Sequence, residues 1–150
     1  MQIRKATSKD LAAIVELLAH DKLGAIREQF QTPLPTAYID AFARINRDEQ
    51  QELMVMESTT GKVVGTLQLS FIQYLTYQGG IRAQIEAVRI HHEFRSQGLG
   101  AQLFHWAIAR AKNRGAHVVQ LTTDKQRPEA LKFYQDLGFT ASHEGMKMHL

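Results

Sequence analysis

The 150-residue sequence contains no cysteine. That absence removes disulfides, thiolate metal sites and cysteine nucleophiles together. No apolar run approaches the roughly 18 residues needed to span a membrane, and Met1 to Lys5 enters a strand-like run with no signal-peptide core. A cytoplasmic protein with no membrane role is therefore expected. Charge of one sign is never massed: the net charge is +3, and Lys and Arg are scattered along the chain. Such a pattern is unlike a nucleic-acid-binding face, although a slightly basic surface also suits a ligand with several phosphates. The composition itself, 44% apolar and 22% charged, is that of an ordinary globular protein. At this length one domain covering residues 1–150 is the simplest reading.

The chain is organised around Arg95-Ser96-Gln97-Gly98-Leu99-Gly100. An apolar, β-prone stretch from Ile81 to Ile90 precedes it, and a helical pattern follows, with Leu99, Leu103, Trp106, Ala107 and Ala111 on one face. A glycine-rich turn between strand and helix aims unpaired backbone N–H groups at one spot, where the helix dipole favours phosphate oxygens. Gly98 and Gly100 let an anion approach the backbone closely. A dinucleotide fingerprint requires glycine or alanine where Leu103 stands, and a P-loop requires a terminal Gly-Lys-Ser/Thr. Neither is present.

Gln2 to Ala6 reads as a first strand. Thr7-Ser8-Lys9-Asp10 matches a capping box, followed by Leu11, Ile14, Val15 and Leu18 at helical spacing. The stretch from Asp21 to Pro35 is irregular and punctuated by Pro33 and Pro35, and a second helix then buries Tyr38, Phe42 and Ile45. A hairpin pairs Leu53–Met56 with Val63–Tyr74 around a turn at Thr59-Thr60-Gly61-Lys62. Gln78-Gly79-Gly80 turns into the strand before the loop. The helix after the loop ends near Gly115, Val118 to Thr122 is a buried-type strand, and Pro128 starts a helix with Ala130, Leu131, Tyr134 and Leu137 inward. One or two final strands are expected after Phe139. Within Ile81–Ile90 the apolar positions Ile81, Ala83, Ile85 and Ala87 alternate, then switch phase to Val88 and Ile90. A β-bulge produces such a slip; burial of both faces near the strand's end would also do so.

The loop pattern Arg/Gln-x-x-Gly-x-Gly/Ala resembles the acetyl-CoA pyrophosphate loop of the GNAT superfamily of N-acetyltransferases. Val88 to Gly100 is similar to that family's strand-plus-loop motif at full length, and Ala130 to Phe139 resembles its Ala-x-x-x-Tyr-x-x-x-Gly-Phe helix. The resemblance implies an α/β (α+β) fold: a mixed, mostly antiparallel sheet, splayed between its fourth and fifth strands and flanked by about four helices. It further implies that acetyl-CoA lies in the splay, here between Gln84–Ile90 and Val118–Thr122. Main-chain groups of Val88 and Ile90 would pair with the pantetheine arm. Arg95, Ser96, Gln97, Gly98, Leu99, Gly100 and Ala101 would hold the pyrophosphate. Ser96 stands where glycine is common. Arg127 replaces a frequent asparagine, so it either meets a CoA phosphate or is a solvated or structural charge.

Acetyl transfer to an amine needs a proton acceptor, a stabilised oxyanion and a proton for the leaving thiolate. The resemblance points to Glu86 as general base, the N–H of Val88 as oxyanion donor and Tyr134 as general acid; otherwise Glu86 is a solvated strand residue and Tyr134 packs. With no cysteine to carry an acyl group, the expected route is direct attack in a ternary complex. The expected acceptor is a primary amine of a small molecule. A protein lysine or N-terminal acetyltransferase, and a non-catalytic acyl-CoA-binding sensor module, are the alternatives. The seven histidines show no i, i+4 helical pair, and adjacent His91 and His92 should point apart, so no metal is expected. His143 falls in a segment that can border the acceptor pocket in this fold and resembles small-amine acetyltransferases there, including those acting on aminoalkylphosphonates; otherwise it is a surface histidine. A homodimer is compatible with the resemblance.

Overall fold

In the computed structural model, residues 1–21 and 24–150 are described; Lys22 and Leu23, inside the irregular stretch after the first helix, lie outside them. Strand β1 (Gln2–Lys5) leads through a 3-10 turn into α1 (Leu11–Ala19), and α2 (Thr36–Arg47) follows. Strands β2 (Gln51–Glu57) and β3 (Val63–Gln73) form the expected hairpin, a one-turn segment α3 (Thr76–Gly79) leads into β4 (Ile81–Ile90), and α4 (Leu99–Asn113), β5 (Ala116–Gln120) and α5 (Pro128–Asp136) complete the order. The sheet runs β1-β2-β3-β4-β5. Its first four strands are antiparallel, and β5 joins β4 in parallel.

The capping box forms as the sequence suggests. Asp10 accepts from the Thr7 N–H at 2.7 Å and the Thr7 hydroxyl at 2.9 Å. Arg4 of β1 adds two bonds to the same carboxylate and also pairs with Glu57 of β2. One side of the sheet carries α1, through its Ile14, and α2 over Ala6, Leu53 and Val55. The other carries α4, whose Leu99, Leu103, Phe104, Ala107 and Ala111 are buried against Leu67, Leu69, Ala83 and Ile85. Phe104 is the hub of an aromatic cluster, with Phe133, Tyr134 and Phe139 ring centroids at 5.6, 5.5 and 6.0 Å. Such pairs add about 0.5–1.5 kcal/mol each beyond their buried area, and they seat α5 on the sheet.

Four expectations need correction. Phe139 to Leu150 forms no strand, because no ladder partner accompanies it; Met146, Met148 and Leu150 alternate along it but are almost fully exposed. β5 is not a buried-type strand: it is the sheet edge, and Val118 remains 39% exposed. On α5, Leu131 faces outward and Phe133 takes the inward place. His91 and His92 do not point apart, for their rings stack at 4.4 Å. The chain leaves β4 there and enters a 3-10 turn at His92, so strand alternation no longer applies.

Candidate active site

The phase slip in β4 is a bulge. Gln68 pairs with Glu86 and Thr66 with Arg89, so β4 spends one more residue than β3 between those rungs. Ala87 takes up the extra residue with φ +56°. The consequence is local and useful: residues before and after the bulge keep their sides of the sheet although the apolar phase changes. β5 pairs with β4 only from Ile81 to Gln84. Beyond Gln84 no strand among the described residues pairs with the β4 edge that faced β5. A strand-like arm can add there by backbone hydrogen bonds. Val88 and Ile90 lie on this edge, with the Val88 carbonyl engaged by Arg89 and the Ile90 carbonyl by Arg95 Nε at 3.2 Å.

At the end of β4 the chain enters the glycine-rich turn. Ser96 (φ +59°) and Gly98 (φ +75°) both adopt left-handed backbone. That alternation turns successive N–H groups to one side, the geometry of an anion nest. The amides of Ser96, Gln97, Gly98, Leu99, Gly100 and Ala101 have no acceptor among the described residues, and the first bonded one is Gln102, to the Gly98 carbonyl. A Cβ built on Gly98 meets nothing within 4 Å, and one on Gly100 meets only the Phe133 ring at 3.5 Å. Packing does not require glycine at either position. Left-handed φ favours it at 98, and close approach of a ligand favours it at 100.

Glu86 lies on β4 just past its last rung with β5, and Tyr134 lies on α5. Glu86 is exposed and held by Gln84 Nε2 at 2.9 Å, and Gln84 in turn accepts from Gln120 of β5 at 2.7 Å. This amide relay ties the carboxylate to both strands that border the opening. Tyr134 packs in the Phe104 cluster, and its hydroxyl makes no hydrogen bond among the described residues. Burial raises the pKa of that hydroxyl above its ordinary value; Arg127 and Arg89 oppose the shift and Glu86 reinforces it. Glu86, Arg89 and Arg127 therefore each lie within electrostatic reach of Tyr134.

Sequence reasoning singled out Arg127 but missed its partner. Arg127 Nη2 donates to Asp21 Oδ2 at 2.9 Å, and Arg89 Nε lies 2.8 Å from the same oxygen. Asp21 directly follows α1, Arg89 follows the bulge and Arg127 caps α5, so a single carboxylate joins three segments around the cleft. Burial works to raise the Asp21 pKa, but the Gly24 N–H and the Arg127 and Arg89 charges outweigh it and hold the carboxyl below its usual range. The only sequence signal for Arg89 was a charge between two apolar residues after the phase slip. Asp21 carried none. His143 is exposed and touches Ser142. A separate cavity of about 590 Å³, lined by Arg47, Glu52, Trp106 and Arg110 among others, lies at the opposite end of α4 from the loop, and its Arg110 is already occupied by Glu52.

The profile of the acetyltransferase (GNAT) family matches residues 13–139. The crystal structure of a transcriptional regulator from Bacillus halodurans C-125 is 55% identical, with a TM-score of 0.96 over 99% of both chains. An aminoalkylphosphonate N-acetyltransferase of Salmonella typhimurium LT2 is 27% identical over 95% of this chain and 86% of its own. The L-amino acid N-acyltransferase MnaT of Escherichia coli K12 is 30% identical over 95% of this chain and 81% of its own.

Proposed function

As the chain belongs to the acetyltransferase (GNAT) family, we propose that it moves the acetyl group of acetyl-CoA to a primary amine of a small molecule, by direct attack in a ternary complex. The observation that carries this reading is the run of amides from Ser96 to Ala101 without acceptors, at the mouth of α4. Such a run suits a pyrophosphate, and it lies beside a strand edge with no partner strand among the described residues, suited to the pantetheine arm. Arg95 adds positive charge at the loop.

Each residue then has a defined task. Glu86 accepts the proton that the ammonium must lose, directly or through water. The Val88 N–H, at the bulge, donates to the oxyanion of the tetrahedral intermediate. Tyr134 gives its proton to the thiolate sulfur as the C–S bond breaks and the N–C bond is complete. Its raised pKa keeps that proton in place at neutral pH. Confinement of both reactants in one cleft supplies much of the rate. The names of the two curated relatives favour small amines and amino acids as acceptors.

A second reading is supported by the regulator from Bacillus halodurans: the chain binds acyl-CoA as a sensor and does not turn it over. A thermal shift with acetyl-CoA, followed by thiol release with a panel of amines, separates the two. Acetyl-CoA at about 100 times its dissociation constant adds roughly 2.7 kcal/mol of stability. Stabilisation with thiol release supports the enzyme, and stabilisation without release by any amine supports the sensor. No shift at millimolar acetyl-CoA would remove both. A salt-dependent shift with duplex DNA would favour a regulator.

A further inference from the structure

The cluster of Asp21, Arg89 and Arg127 has more positive charge than its own carboxylate balances. Two guanidiniums share Asp21 Oδ2. Arg89 is well buried, its side chain 15% exposed, and its Nε finds no acceptor in hydrogen-bond geometry despite lying close to Asp21. Arg89 Nη1 donates to the Val88 carbonyl at 2.8 Å. Its Nη2, and the Nε and Nη1 of Arg127, donate to nothing among the described residues. A guanidinium presents five N–H donors in a planar fork suited to carboxylate and phosphate oxygens. Several of those donors remain open beside the cleft. Arg27 adds a further charge within reach of Arg89, though Glu28 binds it at 2.7 Å.

Glu86 is bonded only by the neutral amide of Gln84 and is in no ion pair among the described residues. Around Tyr134 there are thus an unpaired carboxylate, Glu86, and a pair of under-compensated guanidiniums, Arg89 and Arg127, all within electrostatic reach of its hydroxyl. A ligand that carries both an ammonium and an anionic group answers both kinds of charge; a simple alkylamine or a polyamine leaves the arginines unanswered. The pyrophosphate does not explain these donors, because the nest that receives it is at the start of α4, and Arg89 and Arg127 are tied to the segment after α1.

We propose that Arg89 and Arg127 form an anion subsite for the acceptor, so that the amine acetylated carries a carboxylate, phosphonate or phosphate on the same small molecule, with Asp21 holding the two guanidiniums in position. The inference rests on the acetyl-transfer reading for its substrate, but the subsite can be probed without chemistry. Two measurements on the full chain, both with the pyrophosphate loop filled, keep the failures apart. The first is a thermal shift of CoA-saturated protein with methylphosphonate, an anion with no amine. Stabilisation that disappears in Arg127→Gln supports the subsite whether or not any turnover is found; no stabilisation at tens of millimolar overturns it.

The second is the ratio of kcat/KM for 2-aminoethylphosphonate over ethylamine, and for L-alanine over L-alaninamide. Ratios well above one, falling at least tenfold in Arg127→Gln, are expected, and the two pairs distinguish phosphonate from carboxylate. Asp21→Asn, which retains the side-chain size, is expected to shift the ratio without abolishing it. Equal or better use of the neutral amines overturns the proposal while leaving acetyl transfer intact. So does an Arg127→Gln variant whose defect is confined to the KM for acetyl-CoA, since that result assigns Arg127 to a CoA phosphate.

Discussion

Two opposed substitutions in the anion nest probe its geometry. Gly98 has φ +75° and Ser96 has φ +59°. A left-handed backbone costs an L-residue about 1–2 kcal/mol, whereas a glycine costs about 0.4–1 kcal/mol through the freedom it returns to the unfolded chain. Because a Cβ at Gly98 touches nothing within 4 Å, Gly98→Ala has no steric term. Its net destabilisation should be about 1 kcal/mol, a fall of about 2–4 °C in Tm for a chain of this length. Ser96→Gly reverses the sign and should raise Tm by a similar amount. The two variants should also separate in ligand affinity. The space beside Gly98 is where an anion would sit, and loss of one hydrogen bond to a charged group, about 1.5–3 kcal/mol, means at least a tenfold higher Kd for acetyl-CoA in Gly98→Ala. Ser96→Gly keeps every amide and should leave Kd within about twofold. Scanning calorimetry and isothermal titration read both quantities. A Gly98→Ala protein as stable as the parent with unchanged Kd would refute the nest.

Three further outcomes follow from the same structure. Hydrogen bonds from Arg4 and then Thr7 outweigh burial and lower the Asp10 carboxyl from 3.8 to about 2, so its contribution of about 2 kcal/mol is complete above the unfolded value and lost as pH falls from about 4 to 2. Urea denaturation of the parent and Asp10→Asn should show a gap of that size at pH 7 that closes near pH 2; a gap constant with pH would contradict it. Tyr134→Phe should lower kcat by about 100-fold with acetyl-CoA Kd nearly unchanged, and because burial raises the tyrosine, the alkaline fall of the parent rate should lie above pH 10. Full turnover by the phenylalanine variant would remove Tyr134 from the chemistry. Glu86→Gln should slow the reaction most at moderate pH and least at high pH, where free amine needs no base. An unaltered pH–rate profile would exclude Glu86.

Features governed by local pattern were legible in the sequence. The capping box at Thr7 and Asp10, the loop at Arg95 to Gly100 and the bulge after Glu86 each announce themselves within a dozen residues, because spacing and glycine placement dictate them. Features that depend on a partner were not. The bond from Arg127 to Asp21 spans 106 residues of sequence, and nothing near Asp21 marks it as an arginine partner. The tail after Phe139 alternates like a strand, yet alternation creates a strand only when an edge receives it. Leu131 and Phe133 are both apolar, and only docking of α5 against Phe104 decides which turns inward.

The central claim is that the amides from Ser96 to Ala101 receive the pyrophosphate of acetyl-CoA. Titration of ¹⁵N-labelled protein with acetyl-CoA, followed amide by amide, tests it most directly. The account predicts large, saturable shifts at Ser96, Gln97, Gly98, Leu99, Gly100 and Ala101, accompanied by Val88 and Ile90 on the β4 edge beyond Gln84. Saturable binding that leaves the Ser96–Ala101 amides unmoved, or no binding at millimolar ligand, would contradict it.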